Sequence, residues 1–202
     1  GLESSGADIN AAGDVVGGSE TPDGFTHAFV YRNGTMQDLG TLGGFYSYAG
    51  GITDTGRIVG TAEDKDGFYR AFIYDNGKMT ALPIDATYAL GESINSSGVV
   101  AGSFITSTNE THAYVYGSAF KDIGTLGGGQ AWTKKINDSG DVIGISLPVG
   151  AGFTGFLYRD GVMTELVPTY SEPTDINNAG VVVGYAHFGN VGRGFVWDAA
   201  NG

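Results

Sequence analysis

The chain has 202 residues, 41% of them apolar, with 36 glycines, no cysteine and a net charge of −12. So acidic a molecule repels both a nucleic-acid backbone and an anionic lipid surface, so no nucleic-acid partner is expected. The missing cysteines exclude disulfide staples and a thiolate nucleophile, and no run approaches the roughly 18 apolar residues of a membrane helix, so no membrane insertion is expected.

The first element in the chain is Asp8–Gly17, DINAAGDVVG, and it returns as GITDTGRIVG (51–60), SINSSGVVAG (93–102), KINDSGDVIG (135–144) and DINNAGVVVG (175–184). Its isoleucine falls at 9, 52, 94, 136 and 176, a spacing of 43, 42, 42 and 40 residues. A fixed period in this range marks a repeat architecture whose units bury their apolar faces only against one another.

Within the first repeat, Ala7–Asn10 reads as a short strand, Asn10-Ala11-Ala12-Gly13 as a type I turn, and Asp14–Gly18 as a returning β-branched strand. A polar loop, Ser19–Thr26, carries the turn residues Pro22-Asp23-Gly24. His27–Tyr31 is the third strand, Asn33-Gly34 a type I′ hairpin turn, and Thr35–Leu39 the fourth strand. A linker, TLGGFYSYA, then leads to the next repeat. Later repeats keep this grammar: their third strands are RAFIYD, HAYVYG, TGFLYR and RGFVWD, and Asn76-Gly77 and Asp160-Gly161 repeat the hairpin turn, with Gly117-Ser118 a weaker substitute.

Four antiparallel strands in about 42 residues match a propeller blade better than a solenoid coil. The expected fold is all-β, a single five-bladed β-propeller domain over 1–202 with repeats at 7–49, 50–90, 91–133, 134–173 and 174–202. An open or stacked all-β array is the lesser reading. Asn201-Gly202 aligns with Asn33-Gly34, so the last blade is expected to lack its fourth strand. Either the sequence is part of a longer repeat protein, or a neighbouring molecule completes the edge along Gly194, Phe195, Val196 and Trp197.

His27-Ala28-Phe29 and His112-Ala113-Tyr114, with the INxxGxVVG stretches and LGTLGG (39–44) echoed by IGTLGG (123–128), resemble the HAF-repeat family of extracellular repeat proteins. The resemblance covers essentially the whole chain. It implies a secreted or cell-surface protein with a repeated β fold, and it brings no catalytic residue with it.

The face carrying the second-to-third loops and the linkers is the expected working face, because function on a rigid scaffold concentrates in its loops. Tyr46, Tyr48, Phe68, Tyr69, Tyr88, Trp132 and Tyr170 gather there near carboxylates. Such rings stack on the apolar faces of a sugar, anchor a protein partner, or plug gaps between blades.

His27 and His112 share a repeat position with Arg70, Thr154 and Arg193, which points to hydrogen bonding and away from a metal. Asp64-Lys65-Asp66-Gly67 begins like a calcium loop but lacks the later oxygen ligands and closing Glu, so a β-turn is the better account. Asp14, Asp54 and Asp138 are expected to serve turns. No Gly-x-Ser-x-Gly element is present. The expectation is therefore a non-enzymatic domain with no metal or cofactor, working in protein interaction or self-assembly. A glycan-binding module is the alternative, and a polysaccharide hydrolase or lyase stands third.

Overall fold

In the computed structural model, which describes residues 3–200, all regular structure is β. The first repeat is β1 (Ser4–Ile9), β2 (Val15–Glu20), β3 (Thr26–Arg32) and β4 (Thr35–Gly40), hydrogen-bonded in that order. The second repeats the order with β5 (Gly43–Ile52), β6 (Ile58–Asp64), β7 (Tyr69–Asp75) and β8 (Lys78–Ala81). The third supplies β9 (Ala89–Ile94), β10 (Val100–Ile105), β11 (Thr111–Tyr116) and β12 (Phe120–Gly124). The fourth follows with β13 (Gly127–Ile136), β14 (Val142–Pro148), β15 (Thr154–Arg159) and β16 (Val162–Glu165). Three strands complete the described chain: β17 (Ser171–Ile176), β18 (Val182–Phe188) and β19 (Val191–Trp197). The chain divides into two compact units, Gly1–Val100 and Ala101–Gly202.

The hairpin turns form where the sequence places them. Asn33, Asn76 and Asp160 have φ of 52°, 50° and 53°, and Gly34, Gly77 and Gly161 follow at 78°, 78° and 86°. Two successive positive φ values define a type I′ turn, which glycine and Asn tolerate at low cost. Neither Gly117 nor Ser118 is among the positive-φ residues, and that hairpin is closed by a Gly117 N–H to Ala119 carbonyl bond.

Packing between repeats follows one rule. In the first unit, β5 lies on β2 and β3, and β9 lies on β6 and β7; in the second, β17 lies on β14 and β15. The first strand of the second, third and fifth repeats thus covers the middle strands of the one before, whereas β13 pairs in parallel with β11 and joins the third and fourth repeats in one sheet. The isoleucine of the covering strand enters the shared core: Ile52 joins Val16, Val30 and Leu39, and Ile176 joins Ile143, Leu157 and Leu166. Burying such a side chain is worth about 1.5–3 kcal/mol.

A register shift precedes the isoleucine in four of these strands, at Gly6/Asp8, Ala49/Gly51, Thr133/Lys135 and Pro173/Asp175. Each is a bulge, which inserts one residue and re-aims the side chains that follow. Within a repeat, the third-strand aromatic lies over a second-strand glycine. A Cβ on Gly60 would fall 2.6 Å from Phe72 Cζ, and one on Gly144 would fall 2.6 Å from Phe156 Cε1.

The linkers differ from expectation. TLGGFYSYA is mostly strand, since β5 runs from Gly43 to Ile52, and β13 likewise starts at Gly127. Bulges between Gly43 and Ser47, and between Gly127 and Gln130, let these glycine-rich stretches keep pairing as far as Asp64 and Pro148. Thr41 fixes the approach: its hydroxyl donates to Gly44 O at 2.9 Å and accepts from Gly43 N at 3.2 Å.

Candidate functional site

The chain has two families of four-residue turns. One is the repeated Asn turn. Asn10 N bonds Asp14 O at 3.1 Å and Gly13 N bonds Asn10 O at 3.0 Å, and the same pair recurs at Thr53, Asn95, Asn137 and Asn177. The Asn side chain closes the turn a second time, its Oδ1 accepting the N–H of Asp14 (2.9 Å), Val99 (2.9 Å), Asp141 (2.9 Å) or Val181 (3.0 Å).

Its amide then reaches the following repeat. Asn10 Nδ2 donates to Thr53 O at 3.2 Å, and Asn137 Nδ2 donates to Asn177 O at 2.9 Å. Asp54 adds a bond to Ala11 N at 2.8 Å, and Asn178 one to Asp138 N at 3.0 Å. Asp14, Asp54 and Asp138 are therefore turn residues, as their positions in the motif suggest. Asp141 carries a two-point ion pair: it accepts from Arg159 Nε at 2.9 Å and Nη2 at 2.7 Å. Arg159, aided by the Asn137 amide, holds the Asp141 carboxyl below the usual carboxylate range against the opposing effect of burial.

The second family lies between second and third strands. Thr21, Asp64 and Thr106 open turns with the same backbone bonds, Thr21 N to Phe25 O, Asp64 N to Phe68 O and Thr106 N to Glu110 O. Their side chains accept the same N–H that the Asn side chains do. The long polar loops expected here are thus tight turns between strands that run further than their sequences suggest. Asp64-Lys65-Asp66-Gly67 is such a turn: Asp64 Oδ1 takes Asp66 N at 2.9 Å and Phe68 N at 3.0 Å, and Oδ2 takes Arg70 Nε at 2.8 Å. Arg70, and then these N–H groups, lower the Asp64 pKa.

Three predicted rings come together in the first unit. Tyr69 and Tyr88 pack at 5.5 Å between centroids, and a parallel bridge joins their backbones. Tyr69 ionises above its usual value chiefly because burial removes water, and then because the Glu63 carboxylate and the neighbouring hydroxyls of Tyr46 and Tyr88 disfavour a further negative charge. Glu63 is itself fixed, its Oε2 accepting Phe45 N at 2.7 Å. Phe25 stacks on Phe45 at 4.8 Å and meets Tyr46 edge-on at 5.5 Å. Phe68 carries the Arg70 guanidinium over its ring at 5.2 Å, while Arg70 also donates to Ala86 O. Tyr48 is separate: it lies against Gly18 and its hydroxyl is 3.4 Å from Ser5 Oγ, beside a cleft of about 230 Å³ bordered by Glu3, Ser4, Gly18, Glu20 and Thr26.

In the second unit, Trp132 is half-buried on Phe153 at 5.6 Å, and Tyr170 meets His187 at 5.3 Å. The Tyr185 hydroxyl lies 2.8 Å from His187 Nε2, a packing role for that histidine. Phe25 and Phe153 were missed by the sequence reading, although each stands just before a third strand, as Phe68 does.

His27 Nδ1 lies 2.9 Å from Asp38 Oδ2, and His112 Nδ1 lies 2.8 Å from Asp122 Oδ2. Both histidines clamp third strand to fourth, the hydrogen-bonding role their repeat position implies. Among the described residues, no group of three His, Asp or Glu is placed to hold a metal.

The chain resembles several solved structures. TolB from Acinetobacter baumannii matches with a TM-score of 0.70 at 14% identity, over 96% of this chain and 51% of that one. The fold is a β-propeller. The β-propeller domain of the Trilobed protease from Pyrococcus furiosus, which has an open velcro topology, matches at 0.55 and 16% identity over 80% of this chain and 53% of that one. Pyrococcus horikoshii acylaminoacyl peptidase matches at 0.55 and 15% identity, over 91% of this chain and 32% of its own. The chain thus spans about half or less of the length of these proteins. No family model and no curated protein matches the sequence.

The last blade has three strands among the described residues, in the order β17-β18-β19. Asn201-Gly202, where a further hairpin is expected, lies outside the described residues. Phe195 and Trp197 pack on the Ile143/Leu157/Val182 core, Val196 is 69% exposed, and Gly194 is exposed beside them.

Proposed function

We propose that the protein is a non-enzymatic, extracellular or cell-surface propeller domain that works in protein interaction or self-assembly through β19, the outer described strand of its fifth sheet. The observation that carries this reading is β19. Its counterparts β3, β7, β11 and β15 each hold a fourth strand, whereas β18 is the one described strand paired with β19. An unpaired strand offers a row of backbone donors and acceptors, the template for strand addition. The HAF-repeat resemblance supports a surface location.

The existing fourth strands define what fits. Met36, Met79 and Met163 sit opposite the third-strand tyrosines, and Leu39, Leu82 and Leu166, three residues on, are buried. A peptide Thr-Met-Gln-Asp-Leu-Gly is therefore expected to slow hydrogen exchange of the β19 amides. Unchanged exchange at millimolar peptide would remove strand capture.

A second reading rests on the Tyr46, Tyr69, Tyr88 and Glu63 cluster, which has the rings and the carboxylate of a glycan platform. Tyr46→Ala and Tyr69→Ala would then abolish retention on a glycan array with the melting temperature nearly unchanged, while Trp132→Ala tests the second unit in the same way. Retention by both tyrosine variants would end this reading.

A further inference from the structure

The first, second and fourth repeats each carry an ion pair beside the turn of the following repeat, and in the second its charges are exchanged. Five residues after the repeat isoleucine stand Asp14, Arg57 and Asp141, and the third strands end on Arg32, Asp75 and Arg159. Arg32 Nε meets Asp14 at 2.8 Å and Arg159 Nη2 meets Asp141 at 2.7 Å. The exchanged pair is looser: Arg57 Nε stands 3.4 Å from Asp75, and both side chains are half-exposed. Arg57 lies over the turn of the third repeat, with Nη1 2.7 Å from the point a Cβ on Gly98 would occupy. Arg32, Arg70 and Arg159 each donate hydrogen bonds, whereas among the described residues none is found for the Arg57 guanidinium.

The same junction lacks the amide staple. Thr53 stands where Asn10 and Asn137 reach the following repeat, and its hydroxyl is engaged by Thr55 Oγ1 at 2.9 Å and Arg57 N at 3.1 Å. A cleft of about 260 Å³ opens there, bordered by Thr53, Thr55, Ser96 and Ser97, with Arg57 and Asp75 on its wall. All of these residues belong to the first compact unit.

We propose that this cleft binds a singly charged hydroxy acid of the sugar-acid class, its carboxylate on Arg57 and its hydroxyls on Asp75 and the Ser and Thr side chains. A guanidinium fork offers two parallel N–H donors, which match the two oxygens of a carboxylate. Asp75 sets the rest of the specificity. An ionised carboxylate only accepts hydrogen bonds, so it favours a ligand with hydroxyls to donate. Its charge, within a chain of net charge −12, disfavours a dianion such as phosphate. The cleft approaches the lower end, about 300 Å³, of small-ligand sites, which suits one sugar-sized molecule. It shares no residue with β19 or with the tyrosine cluster, and a sugar acid bound here leaves both free.

Titration of isotope-labelled protein with glucuronate, followed by NMR at the Ser97 and Gly98 amides, tests the assignment. Glucuronate is expected to move both amides to saturation. Glucose, with the hydroxyls alone, and acetate, with the carboxylate alone, are each expected to bind at least about tenfold more weakly. Arg57→Gln should lower glucuronate affinity about tenfold or more. It is expected to fold because no hydrogen bond of the guanidinium is lost, which a thermal melt checks. Thr53→Asn gives a readout that a merely structural arginine would not move: the new amide enters the cleft, so binding falls while the melting temperature rises. Asp75→Asn removes the repelling charge, so phosphate gains on glucuronate.

Absence of a saturable shift with glucuronate would overturn the proposal, as would an Arg57→Gln variant that binds like the parent. Acetate or phosphate binding the parent as tightly as glucuronate would reduce the cleft to a simple anion site and reject the sugar acid. A Thr53→Asn variant that is stabilised yet binds undiminished would show that the ligand sits elsewhere.

Discussion

The Asn137 turn and the Thr106 turn lie in the same unit and close with the same pair of backbone bonds, yet only one couples two repeats. Thr106 uses its hydroxyl inside its own turn, toward Glu110 N and the Thr108 hydroxyl. Asn137 closes its turn with Oδ1 and has an amide left over, which binds Asp141 Oδ2 at 3.0 Å and Asn177 O at 2.9 Å. The difference is one additional donor. At Asn10 and Asn137 it staples one repeat to the next, and the turns of the other family carry aromatic rings instead.

The most damaging way to break this comparison is Arg159→Ala. It leaves the Asp141 carboxylate buried without its partner and should cost about 3 kcal/mol, read from the denaturant midpoint. The pH dependence has a definite sign. The folded pKa of Asp141 is depressed, so its contribution is complete above the unfolded value near 4 and is lost as pH falls through the folded value. Stability of the parent should therefore drop below about pH 4, and Arg159→Ala should flatten that drop.

Next in size is Asn137→Ala, which strands buried groups on both sides of the staple and should cost about 2 kcal/mol. A change in the other direction sharpens the same point. Thr53 occupies the Asn position of the second repeat, closes its turn on Arg57 N at 3.1 Å, and has no amide to extend. Thr53→Asn should place a donor toward the third repeat and raise stability by about 1 kcal/mol. Thr21→Ala, on the unstapled face, should cost only about 0.5 kcal/mol. A loss at Thr21 equal to that at Asn137 would show that the amide does not couple repeats.

Much of this was readable from residue type. Asn33-Gly34 and Asn10-Ala11-Ala12-Gly13 specify their turns locally, because their side chains and φ values act within four residues. The LGTLGG stretches read as linkers because glycine signals flexibility, whereas bulges at Gly43 and Gly127 let the strands run through them. The Tyr46, Tyr69 and Tyr88 cluster was legible as a list of rings but not as a group, since its members come from two strands and a linker whose approach depends on packing. Least legible was the contrast between Ile9 and Ile52. Their local sequences follow one pattern, yet Ile9 is 63% exposed and Ile52 6%.

The aromatic-over-glycine arrangement makes these rings clocks as well as packing. Phe72 and Phe156 are fully buried, each seated where a neighbouring glycine has no Cβ, and a ring in that seat turns over only when the strand beneath it moves away. Their flip rates therefore time the breathing of the second and fourth repeats. Phe195 sits on Gly184 in the same way but is only half-buried, so its ring should turn fastest of the three and mark the last blade as the first part of the molecule to loosen.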